Sequence, residues 1–308
     1  MSKKKRRKTK SGMKRTFRLL MMICFIALLI FFAGKLVNPF LDFVRRNERD
    51  SGVNIKKIEK YVNAGDDTQY NEVSSMVLNK GTTIERLDRL KNQDGRLRTI
   101  LEHYDEYPKD LVDMLSRNIE MLDFVLEYQD KQGKVYGDTI GEVNKGTIPL
   151  LLQWDERWGY AYYGEDIMAI DGCGPTTLSM VICGLTGDNS ITPYKVAKYA
   201  EENGFYVAGA GTSWSLMSDG CQYFHIESEE LPLQKDLIMS TLENGSPIIC
   251  SMGAGDFTIA GHFIVLTGIE DGKIKVNDPN SIARSSLLWE YERIAPQIKN
   301  LWRFWVED

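Results

Sequence analysis

Hydrophobic positions along this chain change their spacing twice, and the two changes divide it into three parts. Leu19 to Gly34 carries no charge, and Lys35 can return its amine to the surface, so the apolar stretch extends to Val37. As a helix, the nineteen residues 19–37 measure about 28 Å, close to the ~30 Å hydrocarbon core of a bilayer, which predicts one transmembrane helix. Residues 38–146 are polar and helical in pattern, with irregular patches expected at Gly65-Asp66-Asp67 and at Gly81. The clearest helix follows Tyr107-Pro108. Leu111, Leu115, Ile119, Leu122, Val125 and Leu126 recur at helical spacing, while Asp110, Arg117, Asn118 and Glu120 fill the other side. This part reads as a helical stalk or cap packed on its own neighbours, with the glycine-rich 131–147 as a linker or extended arm.

From Ile148 the apolar runs become short and are separated by Gly, Pro and Asn. Helices are expected at 175–184, at 193–203 behind the N-cap Thr192, and at 232–244 before Gly245. Strands are expected at 247–252, 262–269, 273–278 and 301–306, with Asp271-Gly272 turning a hairpin between the middle two. Helices followed by an antiparallel sheet make 147–308 an α+β domain.

Charge sharpens this division. Residues 1–18 hold ten Lys/Arg and no acid, which leaves 28 basic against 43 acidic residues in the remainder, a formal charge of −15. An acidic main body excludes nucleic acid as its partner, because a phosphate-binding face needs clustered Lys/Arg. The basic tail 1–18 belongs on the cytoplasmic side, so the 147–308 domain is expected outside the cell membrane. A cleaved signal peptide is the competing reading of the same stretch, but Phe32-Ala33-Gly34 is a poor cleavage site. Cys24, mid-span, lacks the flanks of a lipid-attachment site.

Candidate chemistry centres on Gly172-Cys173-Gly174-Pro175-Thr176-Thr177. Pro175 suits the first position of a helix, and a cysteine just before a helix start feels free amides and the positive end of the macrodipole, which favour a nucleophilic thiolate. The plain alternative is a small buried residue between two turn glycines. A cysteine nucleophile needs a base and a group to orient it. Of the three histidines, His103 falls in the stalk, whereas His262 opens the strand Phe263-Ile264-Val265-Leu266. Alternation gives His262 the face of Ile264 and Leu266, the core face or the one toward the nucleophile's helix. A core histidine bonded to a carbonyl remains the other reading. On the next strand Ile274, Val276 and Asp278 share a face, so Asp278 can orient the imidazole. Asn277 competes for that role from the opposite face, and Asp278-Pro279 also reads simply as a turn. Trp214, after Gly209-Ala210-Gly211, is placed at the edge of a substrate groove. Cys183, Cys221 and Cys250 lack paired ligand spacing, so no metal or other cofactor is expected, and at most one disulfide could join two of them.

Gly-Cys-Gly-Pro-Thr at Cys173, Gly261-His262-Phe263-Ile264-Val265-Leu266 and Val276-Asn277-Asp278-Pro279, in that order, resemble the papain-fold cysteine peptidases of the bacteriocin-processing family, number thirty-nine among cysteine peptidases, and its free-standing relatives. The resemblance runs from about Ile148 to the C-terminus. It implies a papain-like fold, a Cys173/His262/Asp278 triad, an acyl-enzyme and a peptide or protein substrate. It also implies that Gln153, in Leu152-Gln153-Trp154, helps form the oxyanion hole; otherwise Gln153 is a surface polar residue. The best-known relatives sit on peptide exporters and cut double-glycine leaders in the cytoplasm, whereas this chain carries one expected span and an outward domain. A cell-wall amidase or transpeptidase on the same scaffold, and a non-catalytic peptide- or partner-binding module, are the alternatives.

Overall fold

A computed structural model of the chain describes residues 67–306, all within one compact unit, Lys56–Asp308. The basic tail 1–18, the expected span 19–37 and the first part of the stalk lie outside the described residues. Among the described residues no helix is long and apolar enough to cross a membrane.

The centre is a six-stranded antiparallel sheet made of β1 (Glu227–Glu230), β2 (Ile248–Met252), β3 (His262–Glu270), β4 (Lys273–Asn277), β5 (Leu288–Trp289) and β6 (Ile298–Trp305), in the spatial order β1-β6-β2-β3-β4-β5. The α+β expectation holds. Asp271 and Gly272 both take positive φ in the β3–β4 turn, the backbone that a two-residue hairpin with Asp-Gly favours. Strand β1 escaped the sequence reading because Glu227-Ser228-Glu229-Glu230 has no apolar alternation; it pairs only on one side, and charged residues suit such an edge.

Helices cover both faces. The sheet side bearing Ile249, Phe263, Val265, Trp302 and Phe304 packs with Leu178, Met180 and Val181 of α4 (Cys173–Thr186). The other side, with Cys250, Ile264, Leu266, Ile274 and Val276, packs with Ile238 and Leu242 of α6 (Lys235–Glu243) and with Tyr70 and Val73 of α1 (Asp67–Val73). Between them in sequence come α2 (Thr83–Leu90), α3 (Lys109–Arg117) and α5 (Pro193–Glu202), the last capped by Thr192, whose hydroxyl accepts from Lys195 N at 3.3 Å. Helix α4 begins two residues before the expected 175 and ends two after 184. Pro175 occupies its third position, where an N–H has no intrahelical acceptor in any case, and Gly187 ends it in the left-handed conformation.

The described part of the expected stalk, residues 67–146, packs on the domain. Tyr70 Oη donates to Leu288 O at 2.5 Å and its ring lies 4.8 Å from that of Trp289. Ser75 N and Met76 N donate to Asp256 O and Gly255 O at 2.8 and 3.1 Å. Phe124 stacks on Tyr160 with ring centroids 4.0 Å apart. Asn118 and Glu120, read from the helical pattern as an outer polar side, instead bond to the 280–283 segment. The amphipathic pattern had no way to distinguish a polar face turned to water from one turned to another segment's backbone. Lys131 still belongs to a helix, and 132–147 has neither helix nor strand and is held for example by Tyr136 N to Arg157 O at 2.8 Å.

Candidate active site

Cys173 is the first residue of α4 and is half-buried, at the point where the free N–H groups of the helix gather. Close approach on both sides explains its glycine neighbours. A Cβ on Gly172 would lie 2.4 Å from Met168 O, and one on Gly174 would lie 2.7 Å from both Cβ and Oγ1 of Thr212. Thr212 in turn bonds the buried Tyr163, Oγ1 to Oη at 2.9 Å. Sequence reasoning did not find these two residues, since neither carries a motif.

His262 opens β3 opposite Met252 of β2. Of the two faces open to it, the core face is the one that the residues sharing its alternation take. Ile264 and Leu266 look toward α6, and the Phe263 and Val265 side faces α4. The imidazole nevertheless reaches the thiol. The last β3–β4 pair is Val265 with Asn277, so His262 lies beyond the end of β4, at a corner of the sheet where no neighbouring strand intervenes on that side. There it lies near enough to Cys173 for the thiol to act on its charge.

Asp278 is completely buried and accepts from His262 Nε2 at 2.8 Å. Its Oδ1 also accepts from Asn280 N at 2.8 Å, its own N–H donates to Ser285 Oγ at 2.8 Å, and its Oδ2 accepts from Arg284 Nε. Burial would raise the carboxyl pKa, but Arg284 and then His262 outweigh it and hold the group down to about 2. For His262 burial again opposes charge, and the Asp278 carboxylate, helped by Cys173, wins and pushes the imidazole up to about 9. An ionised Asp278 only accepts, so Nε2 carries a proton and Nδ1 is the nitrogen left for the thiol.

Asn277 points away, donating to Ile148 O and Pro149 O at 3.1 and 3.0 Å, and so ties down the start of the domain. Gln153 is buried rather than a surface residue. Its backbone N–H donates to Pro279 O at 2.8 Å, and its Nε2 donates to Ala169 O at 2.8 Å and Ile170 O at 3.2 Å, just ahead of Cys173. Its Oε1 is buried with no hydrogen-bond partner. Trp214 is 46% exposed and packs edge to face on Trp302, two residues beyond the Thr212 that abuts Gly174.

The other described cysteines are free thiols in the core. Burial pushes Cys183 up to about 12 and raises Cys221 and Cys250 too. Among the described residues no group of three His, Cys, Asp or Glu side chains is arranged to hold a metal. Arg284 was also missed. It sits six residues past Asp278 on α7 (Ile282–Ser285), and nothing local in Ser281-Ile282-Ala283-Arg284 marks it.

Comparison with known proteins adds a family. The family model described as "Peptidase_C39 like family" matches residues 145–306. No curated protein matches. A crystal structure from Bacillus anthracis, of a protein whose assignment as a C39-like peptidase is itself provisional, is similar at 14% identity with a TM-score of 0.35, covering 54% of this chain and 98% of that one. At that score it carries no argument about the site.

Proposed function

The chain belongs to the C39-like peptidase family, and from that premise we propose that it is a cysteine peptidase whose nucleophile is Cys173. The observation that supports this most directly is an imidazole bonded to a buried carboxylate and set beside a thiol at a helix start. In this reading His262 Nδ1 takes the Cys173 proton and the sulfur attacks the scissile carbonyl. The imidazolium then protonates the departing amine, leaving an acyl-enzyme on Sγ. Water, deprotonated by the same nitrogen, hydrolyses the thioester. Asp278 keeps the ring oriented and its charged form stable.

The developing oxyanion would be met by the Cys173 backbone N–H and by the Gln153 amide, which would release one of its two carbonyl contacts as substrate binds. Trp214 would flank the substrate. We further propose that residues 19–37 anchor the chain and that the peptidase faces outward, on the strength of the ten positive charges that precede the span.

Three full-length proteins, wild type, Cys173→Ala and His262→Ala, tested against peptides and cell-wall fragments, separate peptidase, wall-hydrolase and binding-module readings. Turnover of peptides by the wild type alone is expected. Iodoacetamide at mildly acidic pH should modify Cys173 and spare Cys183, Cys221 and Cys250, and His262→Ala should suppress that labelling. Uniform labelling of the four thiols, with no turnover of any substrate, would leave a binding module.

A further inference from the structure

We propose that Arg284 is a positioning residue for the His262–Asp278 pair, and that residues upstream of the family-matched region hold its guanidinium in place. Asp278 is shared between two cations, with Oδ1 toward His262 and Oδ2 toward Arg284. The far end of the guanidinium is held by the N-terminal segment: Nη1 donates to Val73 O at 3.3 Å and to Ser75 Oγ at 3.2 Å. Glu120, also upstream of residue 145, accepts from Ile282 N at 3.0 Å and Ala283 N at 2.8 Å at the start of α7, and burial raises its carboxyl pKa against the opposing pull of those two N–H groups and of Arg284. The charged or titratable groups facing the pair are thus Cys173 from α4, Arg284 from α7 and, behind Arg284, Glu120. Met252 on β2 and Val73 and Ser75 near α1 bring none.

The guanidinium acts on His262 in two ways. It draws on the carboxylate that stabilises the imidazolium, and it repels that cation directly. Both effects lower the proton affinity of the imidazole. Without Arg284 the pair would grip its proton more tightly, and the imidazolium would become a poorer acid toward a leaving amine. The consequence for turnover rests on the cysteine-peptidase reading; the proton affinity does not, and it can be measured by itself.

The test is an NMR titration of the full-length chain labelled with carbon-13 at histidine. The sequence has three histidines, so His262 is assigned by its loss in His262→Ala. Arg284→Gln removes the charge but keeps an N–H donor at the same number of bonds from the backbone as Nε. It should raise the His262 titration midpoint by about one pH unit or more, while Arg284→Lys stays within a few tenths. An unmoved midpoint in folded Arg284→Gln, whatever its Tm, would reduce Arg284 to a fold staple and overturn the proposal. Should that variant not fold, Ser75→Ala decides, since it frees one end of the guanidinium without changing any charge. Loosening the guanidinium should raise the midpoint by about a few tenths of a unit, and no change would overturn the proposal. Absence of turnover with the expected shifts would sink the peptidase reading and leave this inference standing.

Discussion

Asn277 and Asp278 are adjacent in sequence and opposite in surroundings, so their replacements should separate stability from activity. Asn277→Ala loses two hydrogen bonds to Ile148 and Pro149 and should cost about 1–3 kcal/mol in chemical denaturation, with a mild effect on turnover. Asp278→Ala should nearly abolish turnover and also destabilise by about 3–5 kcal/mol, because it strands Arg284 as a buried unpaired charge. If Asn277→Ala proved the more damaging to turnover, the orienting role would pass to Asn277. The same pair sets a pH dependence of stability. His262 titrates near 9 when folded against an ordinary 6.5, so its contribution is complete below about 6.5 and is lost as pH rises through about 9. Asp278 is lowered, so its contribution is present above its ordinary 3.8 and lost as pH falls through about 2. The Tm of the wild type should therefore decline on the alkaline side, and His262→Ala should flatten that decline. Cys173, His262 and Asp278 could be singled out from sequence because each carries a local sign, namely a helix start, a strand start and a hairpin that fixes which residues share a face. Arg284 and Glu120 carry none. Their partners lie up to 211 residues away, and no spacing rule reaches that far.

At the scale of elements, α4 is held by how closely its first turn can approach what lies beside it. Gly172→Ala would drive a methyl group into Met168 O, a backbone atom that cannot rotate aside, and should cost about 1–3 kcal/mol and shift Cys173 away from His262. Gly95→Ala, with open space around it, should stay within about 0.5 kcal/mol and serves as the control in thermal melts and turnover assays. Elements with a regular apolar period were readable: α5, α6 and the strands β2, β3 and β4 fall within a few residues of expectation. Strand β1 was not readable, because an edge strand of glutamates is defined by its partner, Ser228 lying opposite Phe304 and Glu229 opposite Arg303. Nor was the face of His262. Alternation says which residues share a side and is silent about which helix covers it.

For the whole molecule, the boundary expected at 146/147 is no seam. A fragment comprising 147–308 alone would expose the surface now covered by Tyr70, Val73 and Phe124 and lose the acceptors of Arg284. It should lack a cooperative thermal transition, or melt well below the full chain, and should show little activity. A fragment as stable and active as the full chain would restore the separate-stalk view. Val73 and Ser75 also leave the ribosome long before Arg284 is made, 211 and 209 residues earlier. While the chain is being synthesised, its early helices must wait for a partner made about two hundred residues later, and closing so long a loop makes the charge network a late event in folding. A nascent chain therefore cannot complete this network.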